Sequence, residues 1–510
     1  MGIIKKNAWV IFSLGIIVLY FFTRLYNILG LPIFTDEAIY VRWAQIASND
    51  AAWRFISLTD GKQPMFIWIG MILIKLIHDP LLAGRVVSVI AGFVSMVGLF
   101  FLTSEIFKNR KIGVLSSFLY ALYPFSLVYD RMALYDSLVA MFIIWSLFFE
   151  VLLVRYMRLD LALILGMIIG GGMLTKTNAN FAFILLPFLL LFIDYKQKEW
   201  KQKVGKLFVF SLAALFIANA MYAILRLSPF FHIIEAKNYV FIYPLSEWLM
   251  HPFDNVFHNL LVLFEWLVTY ATFPFLLVVL SSFFVGPAKH GEKKYFKEKI
   301  LLFVWFIVPL VASALFFRQF YPRFILFMTM PLLVLGAYGF YYALLAVKKI
   351  WLQALVFIVF LLMFVINDFF IITDFAKASV PRSDLGQFVT GWPAGQGVRE
   401  TIAFLEEKSK EQKIYVGTEG TFGLMPYALE MYLLKNPNIT VKGFWPMGDT
   451  PPQEAIAASK LMPTYFVFYQ DCTACPAKGL APKAWEATPV LQIKKLEPGS
   501  YYTLYQLQYK

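Results

Sequence analysis

Long apolar stretches, recurring through the first 373 residues and separated by short polar breaks, constrain this chain more than any other feature. Their limits, good to a few residues, are 8–29, 81–106, 112–129, 134–154, 160–175, 179–194, 205–227, 259–285, 300–317, 324–347 and 350–372. A helix needs ~20 apolar residues to cross a bilayer, so an α-helical, multi-spanning membrane protein with about eleven transmembrane helices is expected. With 60% of its residues hydrophobic and 15% charged, the chain is too apolar to be soluble at this size. The first stretch follows Lys5 and Lys6 and has no small-residue cleavage site after it, so it is expected to stay as an anchor.

The net charge of +13 does not imply a nucleic-acid partner, because the basic residues cluster between apolar spans, where lipid headgroups and insertion energetics account for them. Met65–Ile77 is also apolar but, at about 13 residues and ending near Lys75 and His78, is short for a span and reads as an interfacial helix. On that reading Lys5/Lys6, Lys108/Arg110/Lys111, Arg155/Arg158, Lys196 to Lys203, Lys289 to Lys299 and Lys348/Lys349 share one side. That side is expected to be cytoplasmic, with the N-terminus on it. The opposite face then receives Asp36/Glu37, Lys62, Asp130/Arg131, Asp136, Lys176, the loop Ser228 to Asn259, Arg318/Arg323 and everything after Thr373.

Two domains follow: a transmembrane domain over 1–373, with external interfacial helices at about 37–78, and an extracytoplasmic α/β domain over 374–510. Within Glu37 to Ser48 the spacing of Ile39, Trp43, Ile46 and Ala47 gives one apolar helical face. The C-terminal region predicts helices at Glu400 to Glu411, Phe422 to Leu434 and Pro452 to Ser459. It predicts strands at Lys413 to Gly417, Ile439 to Gly443 and Tyr465 to Tyr469, and a hairpin of Val490 to Lys495 with Tyr501 to Gln508, turning at Glu497-Pro498-Gly499-Ser500. Strands alternating with helices suggest a small α/β fold.

Several residues on the external face carry possible chemistry. An ionised carboxylate such as Asp36 or Glu37 suits a general base for an alcohol or amine, although an Asp-Glu pair also simply complements a helix N-terminus. Asp136 opens a returning span, where an ionisable group is costly; its competing explanation is an ion pair with Arg131. Lys62, in Asp60-Gly61-Lys62-Gln63-Pro64, puts an ammonium at headgroup level, where it suits either a lipid phosphate or a snorkelling anchor. Lys176, Arg318 and Arg323 are basic residues on a face where topology disfavours them, and Arg85 stands just inside the second span. Arginine matches phosphate oxygens bidentately.

At these positions the sequence resembles the polyprenyl-phosphate-sugar-dependent glycosyltransferases of the GT-C class, which include protein O-mannosyltransferases and the lipid A aminoarabinose transferase. The resemblance covers about 10–345. It rests on Asp36-Glu37 with Tyr40, Lys62-x-Pro64, Arg85-x-x-Ser88, Arg131-x-x-Leu134-x-Asp136, Thr175-Lys176, and Arg323-Phe324 leading to Pro331. The family often has Lys-Pro-Pro, and here Gln63 stands in place of the first Pro. The resemblance implies an acceptor-activating base at Asp36, lipid-phosphate binding at Lys62, and supporting roles for Asp136 and Arg323. The expected site set is therefore Asp36, Glu37 and Asp136 for catalysis, with Lys62, Arg85, Arg131, Lys176, Arg318 and Arg323 for the donor's phosphate.

The expected activity is transfer of a monosaccharide from a polyprenyl-phosphate donor to an extracytoplasmic protein, lipid or glycan, with inversion. No cofactor is required on this reading; Asp36, Glu37 and Asp136 are also oxygen donors suited to a divalent metal. The rival class is a lipid-linked-sugar flippase or other transporter, in which internal repeats and midplane polar helices are usual. His251, Asp254 and His258 have no standard metal spacing, and Cys472-x-x-Cys475 without a second pair reads as a local disulfide or free thiols. Asn438-Ile439-Thr440 is a glycosylation sequon, and Gly391 to Gly397 reads as a turn.

Overall fold

The computed structural model describes residues 2–287, 294–472 and 475–509, with side chains from Val10 onward. The side chains of Lys5 and Lys6, and the part of the Lys289 to Lys299 cluster at 289–293, lie outside the described residues.

The protein is a membrane-embedded helical protein with a C-terminal sheet. Among the described residues six helices are long and apolar enough to cross a membrane: Pro80–Phe107, Tyr135–Tyr156, Trp200–Leu227, Phe296–Phe316, Pro322–Ala346 and Ile350–Thr373. The number rises to eight if two bent pairs each form one span. Arg110–Ala121 and Pro124–Asp130 meet at 61°, and Val256–Ala271 and Phe273–Ser281 at 93°. Each break has a proline in the first turn of its second helix, where the missing N–H costs nothing; Tyr123 before Pro124 is extended, and Thr272 at the second break takes φ +64°. The expected span 8–29 falls on the 24-residue helix Gly2–Leu25, and 160–175 and 179–194 fall on the shorter apolar helices Leu159–Met173 and Thr177–Phe192. Each of the eleven expected stretches thus falls on an apolar helix or a bent pair, two of them on helices below a full span's length. Met65–Leu76 is likewise a short apolar helix.

By contacts the chain forms two compact units. The first holds Met1–Tyr26, Arg54–Ile69 and Arg85–Pro381; the second joins Asn27–Trp53 and Gly70–Gly84 to Arg382–Lys510.

The second unit is built on a five-stranded sheet: β1 (Ile414–Glu419), β2 (Ile439–Phe444), β3 (Thr464–Phe468), β4 (Ala487–Lys494) and β5 (Tyr501–Leu507), in the order β2-β1-β3-β5-β4. β1 runs parallel to both neighbours, whereas β5 is antiparallel to β3 and β4. Every residue of β1 and β3 is buried, as expected for inner strands covered on both faces. The helices Val398–Lys408, Leu424–Leu433 and Gln453–Ser459 fall where the sequence put them, and a disulfide joins Cys472 to Cys475. The helix Thr35–Asn49, here α1, belongs to this unit. Its buried face, including Ala38, Val41, Trp43 and Ala47, packs beside Leu424–Leu433, and Arg42 pairs with Glu430 at 2.8 Å.

Inside the first unit, a buried polar knot ties the first helix to the bend at 121–137. Arg24 and Asp130, both fully buried, approach to 3.4 Å. Arg24 also donates to the Ala121 and Tyr120 carbonyls and to Ser126 Oγ, and Asp130 accepts from Ser137 and Tyr120. Arg131 Nη1 donates to the carbonyls of Thr23, Arg24 and Tyr26, closing the end of the first helix. A charge left alone here has nowhere to be solvated. Asp130→Ala is therefore expected to cost about 3–5 kcal/mol, and the apolar double replacement Arg24→Met/Asp130→Leu markedly less. Thermal unfolding in detergent measures both.

Candidate functional site

Asp136 sits in the first turn of the helix Tyr135–Tyr156, α2 below, after the extended residue Leu134. A carboxylate is favoured there by the unpaired N–H groups and the dipole of the helix start. Its side chain is 6% exposed, and Oδ1 accepts from Lys176 Nζ at 2.6 Å. The pairing partner considered from the sequence, Arg131, is instead engaged by the carbonyls of the first helix.

Lys176 follows the helix Leu159–Met173 in extended conformation, so its side chain leaves the helix path. Its ammonium lies 4.2 Å from the centroid of the Phe324 ring, a cation–π contact. Phe324 belongs to the turn Pro322–Ile325, whose Arg323 is buried and lies over Tyr321 at 5.3 Å. Asn178 Nδ2 donates to the Phe324 carbonyl at 3.3 Å, tying the two loops together.

The Lys62 turn is pinned to the same loop. Gly61 takes φ +66°, and a Cβ there would meet Lys237 Cβ at 2.5 Å and the Ile233 carbonyl at 2.7 Å, so the close approach demands glycine. Gln63 Nε2 donates to Thr177 Oγ1 at 3.0 Å, Thr177 Oγ1 to Asn238 Oδ1 at 3.2 Å, and the Met65 N–H to the Leu174 carbonyl at 3.0 Å. The residue standing where the family has proline is thus the one that holds this turn to the Lys176 loop. Asp60 is shared by Lys237, at 2.6 Å, and Lys62, at 3.7 Å.

Burial pulls the Lys176 ammonium below lysine's usual range; Asp136 opposes that pull, and Arg323 and Lys62 reinforce it. Lys62, Lys176, Lys237 and Arg323 bring four cationic side chains to this part of the first unit. Such a cluster attracts a further anion, and half-buried cations bind it more strongly than cations in bulk water.

The other candidates fall elsewhere. Arg85 is fully buried and, with Arg24, lies close enough to Arg131 for mutual repulsion. Arg318 is exposed, 3.7 Å from Glu247 and over the Tyr243 ring. In the second unit, Asp36 is half-buried in the first turn of α1. Glu37 is fully buried, and its Oε2 accepts the Phe34 N–H at 3.0 Å, so this carboxylate caps the helix. A cleft of about 470 Å³ in the same unit is lined by Ile33, Leu81, Gly395, Arg399 and Lys494 among others. Among the described residues, the one group of three His, Cys, Asp or Glu donors close enough to share a metal is Glu419, Cys472 and Cys475. Its sulfurs are bonded to each other. His251 pairs with Asp254 at 3.3 Å on the surface.

Sequence reasoning missed Lys237, Gln63 and Asn238. Lys237 lies within the long loop 228–259, where no periodicity marks it.

Residues 61–222, which contain Lys62, Arg85, Arg131, Asp136 and Lys176, match the family model of dolichyl-phosphate-mannose-protein mannosyltransferase. No curated protein matches the chain. Among solved structures, ArnT from Cupriavidus metallidurans in the apo state is 12% identical, with a TM-score of 0.57 and 98% of each chain covered. The same enzyme bound to undecaprenyl phosphate is 13% identical, with a TM-score of 0.56 and the same coverage. The chain has the GT-C fold. The archaeal oligosaccharyltransferase AglB from Archaeoglobus fulgidus, in complex with an inhibitory peptide and a dolichol-phosphate, is 13% identical at a TM-score of 0.50, covering 91% of this chain and 69% of its own. The GT-C resemblance read from short motifs thus extends to the whole architecture.

Removing the carboxylate leaves the GT-C chain's Lys176 facing Arg323 and Lys62 uncompensated. Asp136→Ala is expected to lower stability by about 1–3 kcal/mol, and Lys176→Met in the same chain to recover part of it. A double-mutant cycle by thermal unfolding checks this; strict additivity would show that the pair is not coupled.

Proposed function

We propose that the protein is a membrane glycosyltransferase that moves a monosaccharide from a polyprenyl-phosphate carrier to an acceptor outside the cytoplasm. The observation that carries this reading is the cation cluster of Lys62, Lys176 and Arg323 around Asp136. A sugar on a polyprenyl phosphate already has its leaving group, so the reaction needs charge stabilisation of the departing phosphate more than it needs an acid. Lys176 and Lys62 offer ammonium donors to the phosphate oxygens, and Arg323 offers a planar fork. Asp136 holds Lys176 in place at 2.6 Å and opposes the downward pull of burial on its ammonium. Arg85 and Arg131 act as buried supports rather than ligands, and Arg318 has no part in this step.

Asp36 takes the proton from the acceptor's hydroxyl or amine, and Glu37 fixes the helix turn that carries it. One displacement by the activated acceptor inverts the anomeric carbon and needs no second nucleophile. The N-terminus is cytoplasmic and the sheet-bearing unit external, in keeping with the basic clusters.

The test works whichever sugar is transferred. Deleting the gene in its host should remove a defined glycan mass from an envelope component, and the intact chain should restore it. Asp36→Asn should restore less than about 1% of it, the loss expected on removing a general base of this kind, while still co-purifying with polyprenyl phosphate. Full restoration by Asp36→Asn would contradict the assignment of the base.

A further inference from the structure

Three residues ahead of Asp36 the chain runs beside the glycine-bearing loop Gly391 to Gly397. The Thr35 N–H and Oγ1 both donate to the Pro393 carbonyl at 3.0 Å, the Gly395 N–H donates to the Ile33 carbonyl at 2.7 Å, and Phe34 and Ala394 form a β-bridge. The Phe34 ring meets Phe388 edge-on at 5.1 Å. These contacts fix the residues that enter α1, and Asp36 is the next residue after Thr35.

The opposite edge of the loop is held by a buried charge. Lys495, 2% exposed, directs Nζ at the carbonyls of Ala394 at 3.0 Å and of Gly391 and Trp392 at 3.4 Å. The Gly391, Trp392 and Ala394 carbonyls thus turn to the ammonium, and that of Pro393 to Thr35. Lys495 is itself fixed, because its N–H donates to the Ser500 carbonyl across the β4–β5 turn. Gly397, at φ +93°, closes the loop against the Tyr502 ring, where a Cβ would come within 2.4 Å. Burial lowers the lysine's pKa to about 8, against the pull of Glu497 and Glu419. A hydrophobic side chain would fill this space but take the donor from three carbonyls, so the ammonium acts on the loop rather than only filling a gap.

We propose that Lys495 is a positioning residue for transfer: its ammonium gathers the 391–394 carbonyls, and the shaped loop sets the entry to α1 and thereby the aim of Asp36. The inference rests on the reading of Asp36 as the acceptor-activating base. It places part of the catalytic geometry under the control of the β4–β5 hairpin.

Lys495→Met keeps length and removes the donors. Hydrogen exchange at Thr35 and Gly395 should quicken at least tenfold while β1 and β3 keep their protection, and restoration of the envelope glycan in the deletion strain should fall at least tenfold. Lys495→Arg, which keeps charge and donors, should return both toward the intact chain. Unchanged exchange, or faster exchange with undiminished transfer, overturns the proposal. So does protection lost evenly across the sheet, which marks a merely structural role. If Lys495→Met does not fold, Thr35→Val, which loosens the loop's hold on α1 with Lys495 intact, must reduce transfer at least threefold, and unchanged transfer overturns the proposal. An inert Asp36→Asn beside a fully active Lys495→Met sinks this inference alone. A fully active Asp36→Asn sinks the assignment of the base, leaving the exchange data to judge the link from Lys495 to α1.

Discussion

The 2.6 Å pair between Asp136 and Lys176 is the contact on which the first unit's polar chemistry depends. Neither group is stable alone where it stands. Asp136 begins an apolar helix, and Lys176 faces two other cations with only 23% of its side chain exposed. Their pairing offsets both penalties, with Lys62 and Arg323 close enough to act on the Lys176 charge. Everything around the pair stiffens it: Gln63 on Thr177, Thr177 on Asn238, Asn178 on the Phe324 carbonyl, Phe324 under the ammonium. A preorganised cation set of this kind can stabilise a departing phosphate without rearranging at the moment of reaction.

The second unit solves a different problem, which is to fix a helix start without a polar N-cap. Phe34 has no oxygen to offer, so Glu37 reaches back to its N–H and the Pro393 carbonyl takes the Thr35 N–H. The sheet contributes rigidity through Lys495. Buried charge thus organises both units, at Arg24–Asp130 and Asp136–Lys176 in the first and at Lys495 in the second.

Much of this was legible in the sequence. The apolar stretches mark the helices because a bilayer leaves a backbone few alternatives. The C-terminal strands were readable because short β-branched and aromatic runs bounded by turn residues, among them Glu497-Pro498-Gly499-Ser500, mark them locally. Lys62, Asp136, Lys176 and Arg323 stood out as charges in places that make charge costly. Their pairing was not legible: Asp136 and Lys176 are joined by helix packing, and Arg131 was the nearer partner along the chain. For Asp36-Glu37 the sequence offered both a base and a helix-start pair, and the Phe34 N–H that Glu37 caps could not be singled out, because any residue carries such a group. Lys495 read as the end of a hairpin strand, and the loop it holds as a mere turn. The number of full spans was less legible, because the pairs broken at Pro124 and Pro274 and short helices such as Leu159–Met173 share the hydropathy of full spans.

The central claim is that the Lys176 cluster holds a lipid-linked phosphate. Native mass spectrometry of the full chain, released from detergent with its bound lipid, tests it most directly. The account predicts a co-purifying polyprenyl phosphate, with or without a sugar, that is largely lost from Lys176→Met while the protein remains folded. A polyprenyl phosphate retained equally by Lys176→Met would contradict it.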